Sequence, residues 1–344
     1  MTAAISSTRR HPFRPRFAVR STELGPRCDT FLAVAVTSVL ANRLFLVITG
    51  YPQLGNGTLH ISHAIWGALM MGTALILAIS FLAPSTRWIV AILGGAGFGW
   101  FIDELGKFIT REVNYFYQPT IALIYMTFIA LYLVIRSLQR RAYTPEEGVL
   151  NGLEALKAAA LGRLPEPERR EALALLTATN ANSGFAGEVR ALLEKAPSLE
   201  PREPSLVVHW AESLRDRYLD LAQHPRFIAL IDVLFTFFAV TALLTVLSLA
   251  LDGPGVVTFT ERAGLLSSMV ANACLIIGVV VLLRTHDRLR AYRWFDRGLL
   301  ITIFVTQVFV FAEEQLGGTV GLLLTLMVWG LLRGAMSAER GREA

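Results

Sequence analysis

Residues 62–83 read SHAIWGALMMGTALILAISFLA, a run without Asp, Glu, Lys or Arg. A helix needs about 17–25 mostly apolar residues to cross about 30 Å of hydrocarbon, and this run has that length. Seven further apolar runs accompany it. The eight predicted spans are 29–50, 62–83, 88–110, 119–136, 228–251, 264–284, 298–313 and 317–334. The last two are short and close together, so they form either two tilted spans in a tight hairpin, which we favour, or a re-entrant pair.

The composition places the chain in a membrane. Of its 344 residues, 53% are hydrophobic and 17% are charged, and the mean hydropathy is +0.50. A typical soluble domain carries about 25% charged residues. The sequence therefore predicts an all-α polytopic transmembrane helix bundle with the lipid bilayer as its surroundings. The two cysteines, Cys28 and Cys274, form neither a disulfide framework nor a metal-spaced set.

Basic residues cluster at three places along the chain. They precede the first span, follow the fourth, and lie between the sixth and seventh: Arg9, Arg10, Arg14, Arg16, Arg20 and Arg27; Arg136, Arg140 and Arg141; Arg284, Arg288, Arg290, Arg293 and Arg297. The positive-inside rule puts both termini and the long central loop in the cytoplasm of a bacterial-type plasma membrane. Because the net charge of +5 is distributed in this way, it does not indicate nucleic-acid binding. The basic leader lacks a short apolar core with a cleavage site, so no cleaved signal is predicted.

The spans and connections divide the chain into five parts. They are a basic leader at 1–28, a first transmembrane half at 29–137, a cytoplasmic helical segment at 138–226, a second transmembrane half at 227–335 and a tail at 336–344. The halves are alike where Phe101-Ile102-Asp103-Glu104 aligns with Phe311-Ala312-Glu313-Glu314. This likeness indicates either two parallel four-helix repeats or chance similarity between apolar helices.

The segment 138–226 carries its own helix signals. Thr144, Pro145 and Glu147 form the pattern of an N-cap, a first-turn proline and a capping box. The further predicted elements are a helix from near Pro167, loops at 177–187 and 196–204, and a helix over 205–222. The segment is either a helical linker or a regulatory, partner-binding module.

Two acidic pairs, Asp103-Glu104 and Glu313-Glu314, each close an apolar run. A charge at mid-bilayer costs about 2.5–3.5 kcal/mol on insertion scales, so such residues are functional candidates. In the predicted topology the third and seventh spans both run outward, which puts the two pairs at a similar depth. The candidate ion- or substrate-binding residues of this outer layer are Asp103, Glu104, Glu313, Glu314, Arg43, Gln307 and Lys107.

The acidic residues have two interpretations. Lys107 lies four residues after Asp103 and three after Glu104, so one intrahelical ion pair could neutralise much of the charge. Arg43 could do the same across helices, and such a cluster would only fix helix register. Alternatively, adjacent carboxylates exchange protons or cations, because their like charges disfavour full ionisation.

His60 and His63 lie three residues apart and therefore share one helical face. Neutral imidazoles together with carboxylates suit Zn²⁺, Mn²⁺ or Fe²⁺, so a divalent metal is a candidate cofactor. Alternatively, both rings lie at the headgroup boundary and bond to water or loop carbonyls. Because they share a face, the two rings cannot ligate one haem iron from opposite sides.

The third predicted span contains Gly94-Gly95-Ala96-Gly97-Phe98-Gly99, just before the first acidic pair. Small residues allow a neighbouring helix to pack closely. The other interpretation is a broken helix that lines a cavity beside Asp103, as in discontinuous transporter helices.

No nucleotide-binding loop, nucleophile elbow, His-Glu-x-x-His helix or Rossmann glycine pattern occurs in the sequence. The leading hypothesis is transport or translocation of a proton, cation or small molecule through the carboxylate and histidine cluster. One alternative is a membrane-embedded metal-dependent hydrolase or transferase at His60 and His63. The other is a membrane sensor or assembly factor that acts through the cytoplasmic segment.

Overall fold

The apolar runs fold into helices because a backbone in hydrocarbon must pair its own N–H and C=O groups. The computed structural model describes residues 19–49, 55–56, 59–60, 62–105, 120–179, 184–197, 199, 213, 217, 224–252, 258–314 and 317–343. The predicted helix over 205–222 lies outside the described residues, apart from Ser213 and Arg217.

Twelve α-helices and one short hairpin occur in this described part of the chain. The first four helices are α1 (Leu24–Thr49), α2 (His63–Ser80), α3 (Pro84–Asp103) and α4 (Thr120–Gln139). Three shorter ones follow: α5 (Pro145–Ala160), α6 (Glu166–Ala178) and α7 (Gly184–Lys195). The last five are α8 (Pro225–Asp252), α9 (Phe259–Thr285), α10 (Arg288–Ile301), α11 (Gln307–Glu314) and α12 (Gly318–Glu343). A π-helical turn, Thr302–Thr306, joins α10 to α11. Between α1 and α2, β1 (Gly55–Asn56) pairs antiparallel with β2 (Leu59–His60).

Within the described residues, six helical segments are long and apolar enough to cross a membrane. They are Leu24–Leu46, His63–Ser80, Thr120–Gln139, Phe259–Thr285, Arg288–Glu314 and Gly318–Ser337. Only 11 to 33% of the most apolar stretch of each is buried inside the protein. Most of the apolar surface therefore faces outward, as it does in lipid-facing helices. The helical membrane class agrees with the prediction, whereas the count of eight spans is not confirmed.

Helices α3 and α8 account for the difference in the count. Both occupy the positions of predicted spans, 88–110 and 228–251, but neither belongs to the six. In α3, Arg87 and the glycines of 94–99 lower the mean hydropathy of the helix. Helix α8 contributes only a shorter apolar stretch, Ala229–Thr241, within the described residues.

The helix that contains the seventh predicted span is longer than the sequence indicates. Its helix begins at Arg288 rather than at 298, because Leu289, Tyr292 and Phe295 bury one face of α10. The residues 285–297, predicted as a connection, are therefore mostly helical. Both α10–α11 and α12 belong to membrane-length segments, which favours the hairpin of two spans over a re-entrant pair.

The chain packs as two compact units. Unit 1 comprises Met1–Phe101 and Tyr132–Glu203, and unit 2 comprises Ile102–Leu131 and Pro204–Ala344. These units are defined by contacts between residues, so they do not test the five parts or the internal duplication that the sequence suggests. Both stay predictions.

In unit 1, helix α3 packs closely on α1 and α2 through its glycines. A Cβ on Gly95 would lie 2.6 Å from a backbone carbonyl oxygen of α1, and one on Gly97 would lie 2.6 Å from the carbonyl oxygen of Gly67 in α2. Only glycine permits backbones to approach this closely. Helix α3 is continuous from Pro84 to Asp103. Close packing is therefore confirmed, and the broken helix at 94–99 is wrong.

Helices α5 to α7 of unit 1 share a core of their own. The capping box at the start of α5 is confirmed, since Thr144 and Glu147 each accept a backbone N–H from the other. Helix α6 begins at Glu166, beside the predicted Pro167. The predicted loop at 177–187 is wrong at both ends, since α6 continues to Ala178 and α7 begins at Gly184. The residues that form this core are Ala158, Leu164, Ala172, Leu176, Val189 and Leu193, and burial of the last two stabilises α7.

In unit 2, the core lies where α8, α9 and α12 surround α10. Tyr292 and Phe295 of α10 are fully buried, and the Phe295 ring stacks on Phe235 of α8 with 4.2 Å between the ring centroids. This burial orients α10, because one of its faces is apolar and the other is rich in arginine.

Two aspartates tie α10 to its neighbours in unit 2. Asp232 of α8 accepts a hydrogen bond from the Tyr292 hydroxyl at 2.9 Å and pairs with Arg288 at 3.3 Å. Asp296 of α10 accepts from the indole N–H of Trp329 at 2.9 Å and pairs with Arg333 at 3.1 Å. Neither aspartate is singled out by the sequence patterns, because their partners come from other helices.

Candidate functional site

The first acidic pair lies at the end of α3. Glu104 is buried, with 5% of its surface exposed, and Asp103 is half-buried. Both residues belong to unit 2. An ionisable side chain at the end of an apolar helix is a functional candidate, and the deeper burial of Glu104 makes it the stronger candidate of the pair.

The second acidic pair lies at the end of α11, also in unit 2. Glu313 and Glu314 are both exposed. The carboxylates of Glu261 and Glu314 repel that of Glu313. Glu261 belongs to the first turn of α9, where it forms a capping box with Thr258. The ends of α9 and α11 therefore share an acidic surface.

The remaining predicted site residues are distributed differently. Arg43 and His63 are half-buried and belong to unit 1, and the His63 ring lies edge-on to Trp100 at 6.3 Å between centroids. His60 belongs to strand β2 and α2 begins only at His63, so the prediction that the two histidines share one helical face is wrong. The side chain of His60 and all of Lys107 lie outside the described residues. Among the residues described, no group of three or more His, Cys, Asp or Glu could hold a metal ion. The two-histidine metal site stays a prediction.

Gln307 follows a π-helical turn inside a membrane-length helix of unit 2. The turn Thr302–Thr306 interrupts the segment Arg288–Glu314 near its middle. Gln307 is buried and donates its side-chain N–H to the carbonyl oxygen of Gly318 at 2.9 Å. Single π turns within α-helices occur frequently at functional sites. The segment stays helical throughout, so the π turn is a local change of helical pitch and not a broken helix.

Tyr125 of α4 contacts the same turn. Its hydroxyl donates to the carbonyl oxygen of Ile303 at 2.7 Å, and its ring packs edge-on against Phe311 at 5.0 Å between centroids. The sequence patterns did not single out Tyr125. A tyrosine in an apolar span is itself a weak signal, since a buried hydroxyl needs a partner.

Two buried hydroxyls complete this polar region of unit 2. The Oγ1 atoms of Thr120 and Thr306 have no hydrogen-bond partner among the described residues. Thr120 is 2% exposed and begins α4, and Thr306 closes the π turn. Buried polar atoms are nearly always hydrogen-bonded, so these two hydroxyls are candidates for contact with water or a ligand.

We expect the replacement of Tyr125 by Phe to lower the free energy of unfolding by about 1 kcal/mol, because the Ile303 carbonyl loses its side-chain donor while the ring remains. Loss of helicity during titration with sodium dodecyl sulfate measures this change in detergent micelles. Tyr143→Phe is the control, since no hydrogen bond of its hydroxyl occurs among the described residues. A Tyr125→Phe protein as stable as this control would show that the contact contributes nothing.

Unit 1 contains a small cavity of about 60 Å³ between the starts of α1 and α3 and helices α5 and α6. Its lining residues are Thr22, Glu23, Arg27, Pro84, Asn151, Glu154, Ala155, Ala158, Glu168, Glu171 and Ala172. This volume admits a few water molecules and is far below the roughly 300–1,000 Å³ of small-molecule sites.

Ion pairs neutralise much of the charge around this cavity. Glu23 pairs with Arg27, and Glu154 pairs with Arg87 at 3.0 Å and Lys157 at 2.9 Å. Partial burial raises the pKa of Glu168, and the carboxylates of Glu23 and Glu171 raise it further, against the opposing charge of Arg27. The cavity is therefore lined by ion pairs, one of which, Arg87 with Glu154, joins α3 to α5.

No protein-family model, curated protein or solved structure matches the chain. Its function must therefore be inferred from its own residues, and the polar region of unit 2 is the strongest candidate site. Its centre is the contact between Tyr125 and the π turn that contains Thr306 and precedes Gln307, and Glu104 and Thr120 are buried polar residues of the same unit.

Proposed function

We propose that the protein is a multi-pass transporter that translocates a proton or a small cation through unit 2. In this proposal it has eight spans, α3 and α8 included, and both termini lie in the cytoplasm of a plasma membrane. The positive-inside distribution of arginines supports this orientation.

The main support is the π turn that interrupts the membrane-length segment Arg288–Glu314 beside the buried Gln307. Single π turns of this kind occur frequently at functional sites, which favours a role for this segment. The unsatisfied hydroxyls of Thr120 and Thr306 belong to the same unit. Hydroxyl and amide oxygens are the neutral ligands that a partly dehydrated cation requires.

Glu104 supplies the charge in this proposal. Among the described residues of unit 2 it is the glutamate that is buried. It lies at the end of an apolar helix, where ionisable residues mark ion pathways and proton relays. The acidic surface formed by Glu261, Glu313 and Glu314 raises the local concentration of cations at one end of the unit. Glu104 then exchanges the proton or cation with the interior polar groups.

The test is flux into proteoliposomes that contain the full-length protein. Proton entry is followed with an internal pH-sensitive dye under an imposed membrane potential, and Na⁺ entry with ²²Na⁺. We expect Glu104→Gln to slow flux by about ten-fold or more, which corresponds to losing about 1.4 kcal/mol of stabilisation in the rate-limiting step. Glu188→Gln, at an exposed position of α7, is the matched control and should retain the flux of the unsubstituted protein.

Two results would overturn the proposal. One is flux of both ions no greater than that of protein-free liposomes. The other is a Glu104→Gln protein that folds and transports as fast as the Glu188→Gln control. Helicity and elution volume in detergent establish folding of each variant beforehand.

A further inference from the structure

Helix α10 has a sharply divided surface. Its buried residues are Leu289, Ala291, Tyr292, Phe295, Gly298 and Leu299. Arg290, Arg293 and Arg297 are exposed, and their spacing of three and four residues places them on one strip, opposite the buried face. We call these three residues the arginine strip.

Arg293 and Arg297 of the arginine strip are available for an outside partner, whereas two other arginines of unit 2 have acidic partners within the unit. Arg288 and Arg333 are committed to Asp232 and Asp296. Arg290 lies 3.5 Å from Asp287, at an exposed position. For the other two members of the strip, no acidic partner occurs among the described residues.

Trp294 lies beside the arginine strip on the same helix. The guanidinium of Arg297 stacks over its ring, 4.6 Å from the centroid. Tryptophan is enriched at the headgroup level of membranes, where its ring is half apolar and half polar. A tryptophan stacked with an arginine is therefore typical of the membrane interface.

The length of the adjoining apolar run determines how deep in the membrane the arginine strip lies. Between Arg297 and Glu313 lies a helical run free of charged residues, Gly298 to Ala312. At about 1.5 Å per residue this run spans roughly 22 Å, less than the hydrocarbon thickness of about 30 Å. Because charges at both ends must reach polar surroundings, the arginine side chains extend into the headgroup layer.

We propose that the arginine strip and Trp294 form a binding site for the headgroup of an anionic phospholipid. The guanidinium groups bind the phosphodiester by paired N–H donors, as arginine does with phosphate. The indole ring lies at the glycerol level beside them. This inference depends on the membrane assignment and not on any transport activity.

The test is titration calorimetry of the full-length protein in a neutral detergent with dioctanoyl phosphatidylglycerol. Parallel titrations use dioctanoyl phosphatidylcholine and inorganic phosphate. We expect phosphatidylglycerol to bind more tightly than either, and Arg293→Gln with Arg297→Gln to weaken it by about 25-fold, roughly five-fold for each arginine near an anionic surface. Lys at both positions should retain most of the affinity, since the charge is kept.

The matched control is Arg163→Gln with Arg170→Gln, which removes two exposed arginines of unit 1. This variant should bind phosphatidylglycerol as the unsubstituted protein does. Equal affinity for phosphatidylcholine, or a glutamine variant of the strip that still binds normally, would overturn the proposal. Inorganic phosphate binding as tightly as the lipid would also overturn it, because the site would then recognise a free anion.

Discussion

Glu147→Ala is expected to lower the free energy of unfolding by about 3–5 kcal/mol, the usual cost of breaking a buried ion pair. The Glu147 carboxylate accepts two hydrogen bonds from the Arg20 guanidinium, at 2.8 and 2.7 Å. It also accepts the backbone N–H groups of Arg20 and Thr144. Only 11% of the Arg20 side chain and 6% of the Glu147 side chain are exposed, so truncation leaves a largely buried guanidinium without its counter-charge, held by backbone carbonyls.

The same ion pair makes stability depend on pH. The hydrogen bond from Arg20 lowers the pKa of Glu147 from 4.5 to about 2, against the opposing effect of burial, and the Glu147 carboxylate raises the pKa of Arg20 in return. A carboxyl with a depressed pKa stabilises the fold above its unfolded pKa. This contribution is therefore full above about pH 4.5 and is lost as the pH falls towards 2.

Two variants distinguish the contribution of the ion pair to stability from that of the helix cap. Glu146→Ala removes the adjacent exposed carboxylate of the same helix turn, and it should change stability by less than about 1 kcal/mol. Glu147→Gln can still form the capping box but lacks the charge. It should lose most of the stability and all of the acid dependence that the ion pair provides. Unfolding midpoints measured in detergent between pH 3 and 7 test both statements, and equal midpoints for Glu147→Ala and Glu146→Ala would refute them.

Gly67→Leu is expected to separate α2 from α3 and to cost about 3 kcal/mol, at the upper end of the usual range for overpacking. A Cβ at this position would lie 2.6 Å from both the carbonyl oxygen of Gly97 and the backbone nitrogen of Phe101. These are backbone atoms and cannot rotate away, so the helices must move apart. Titration with sodium dodecyl sulfate measures the loss.

The control lies in the same helix. A Cβ on Gly72 meets no atom within 4 Å, so Gly72→Leu should be neutral or slightly stabilising, because glycine is a poor helix former. If Gly67→Leu and Gly72→Leu proved equally stable, the close approach of α2 and α3 would be wrong.

Local signals were sufficient for the elements whose stabilising contacts lie close in sequence. Thr144 and Glu147 are three residues apart, and the capping box that they predict is present. The glycines of 94–99 likewise predicted close packing, since small residues have this effect on either neighbouring helix. Helix α7 was missed because its helical state depends on burying Val189 and Leu193 against α5 and α6.

The candidate site could be predicted only in part. Glu104 and Gln307 were recognisable because a polar residue in an apolar run is rare. The other residues of the site were not recognisable, since Tyr125 contacts the π turn from a position 178 residues away in the sequence. The π turn itself carries no glycine or proline that could have indicated an interruption.

By itself the sequence determined that the chain is helical and apolar enough for a bilayer, because length and hydropathy are summed along the chain without reference to neighbours. Tertiary structure alone decided which polar side chains are compensated. Arg20 looked like one of many leader charges, yet it is bound to Glu147 across 127 residues, while Arg293 and Arg297 point away from the unit 2 core. Electrostatic and hydrogen-bond energies depend on distances between side chains, and only packing sets those distances.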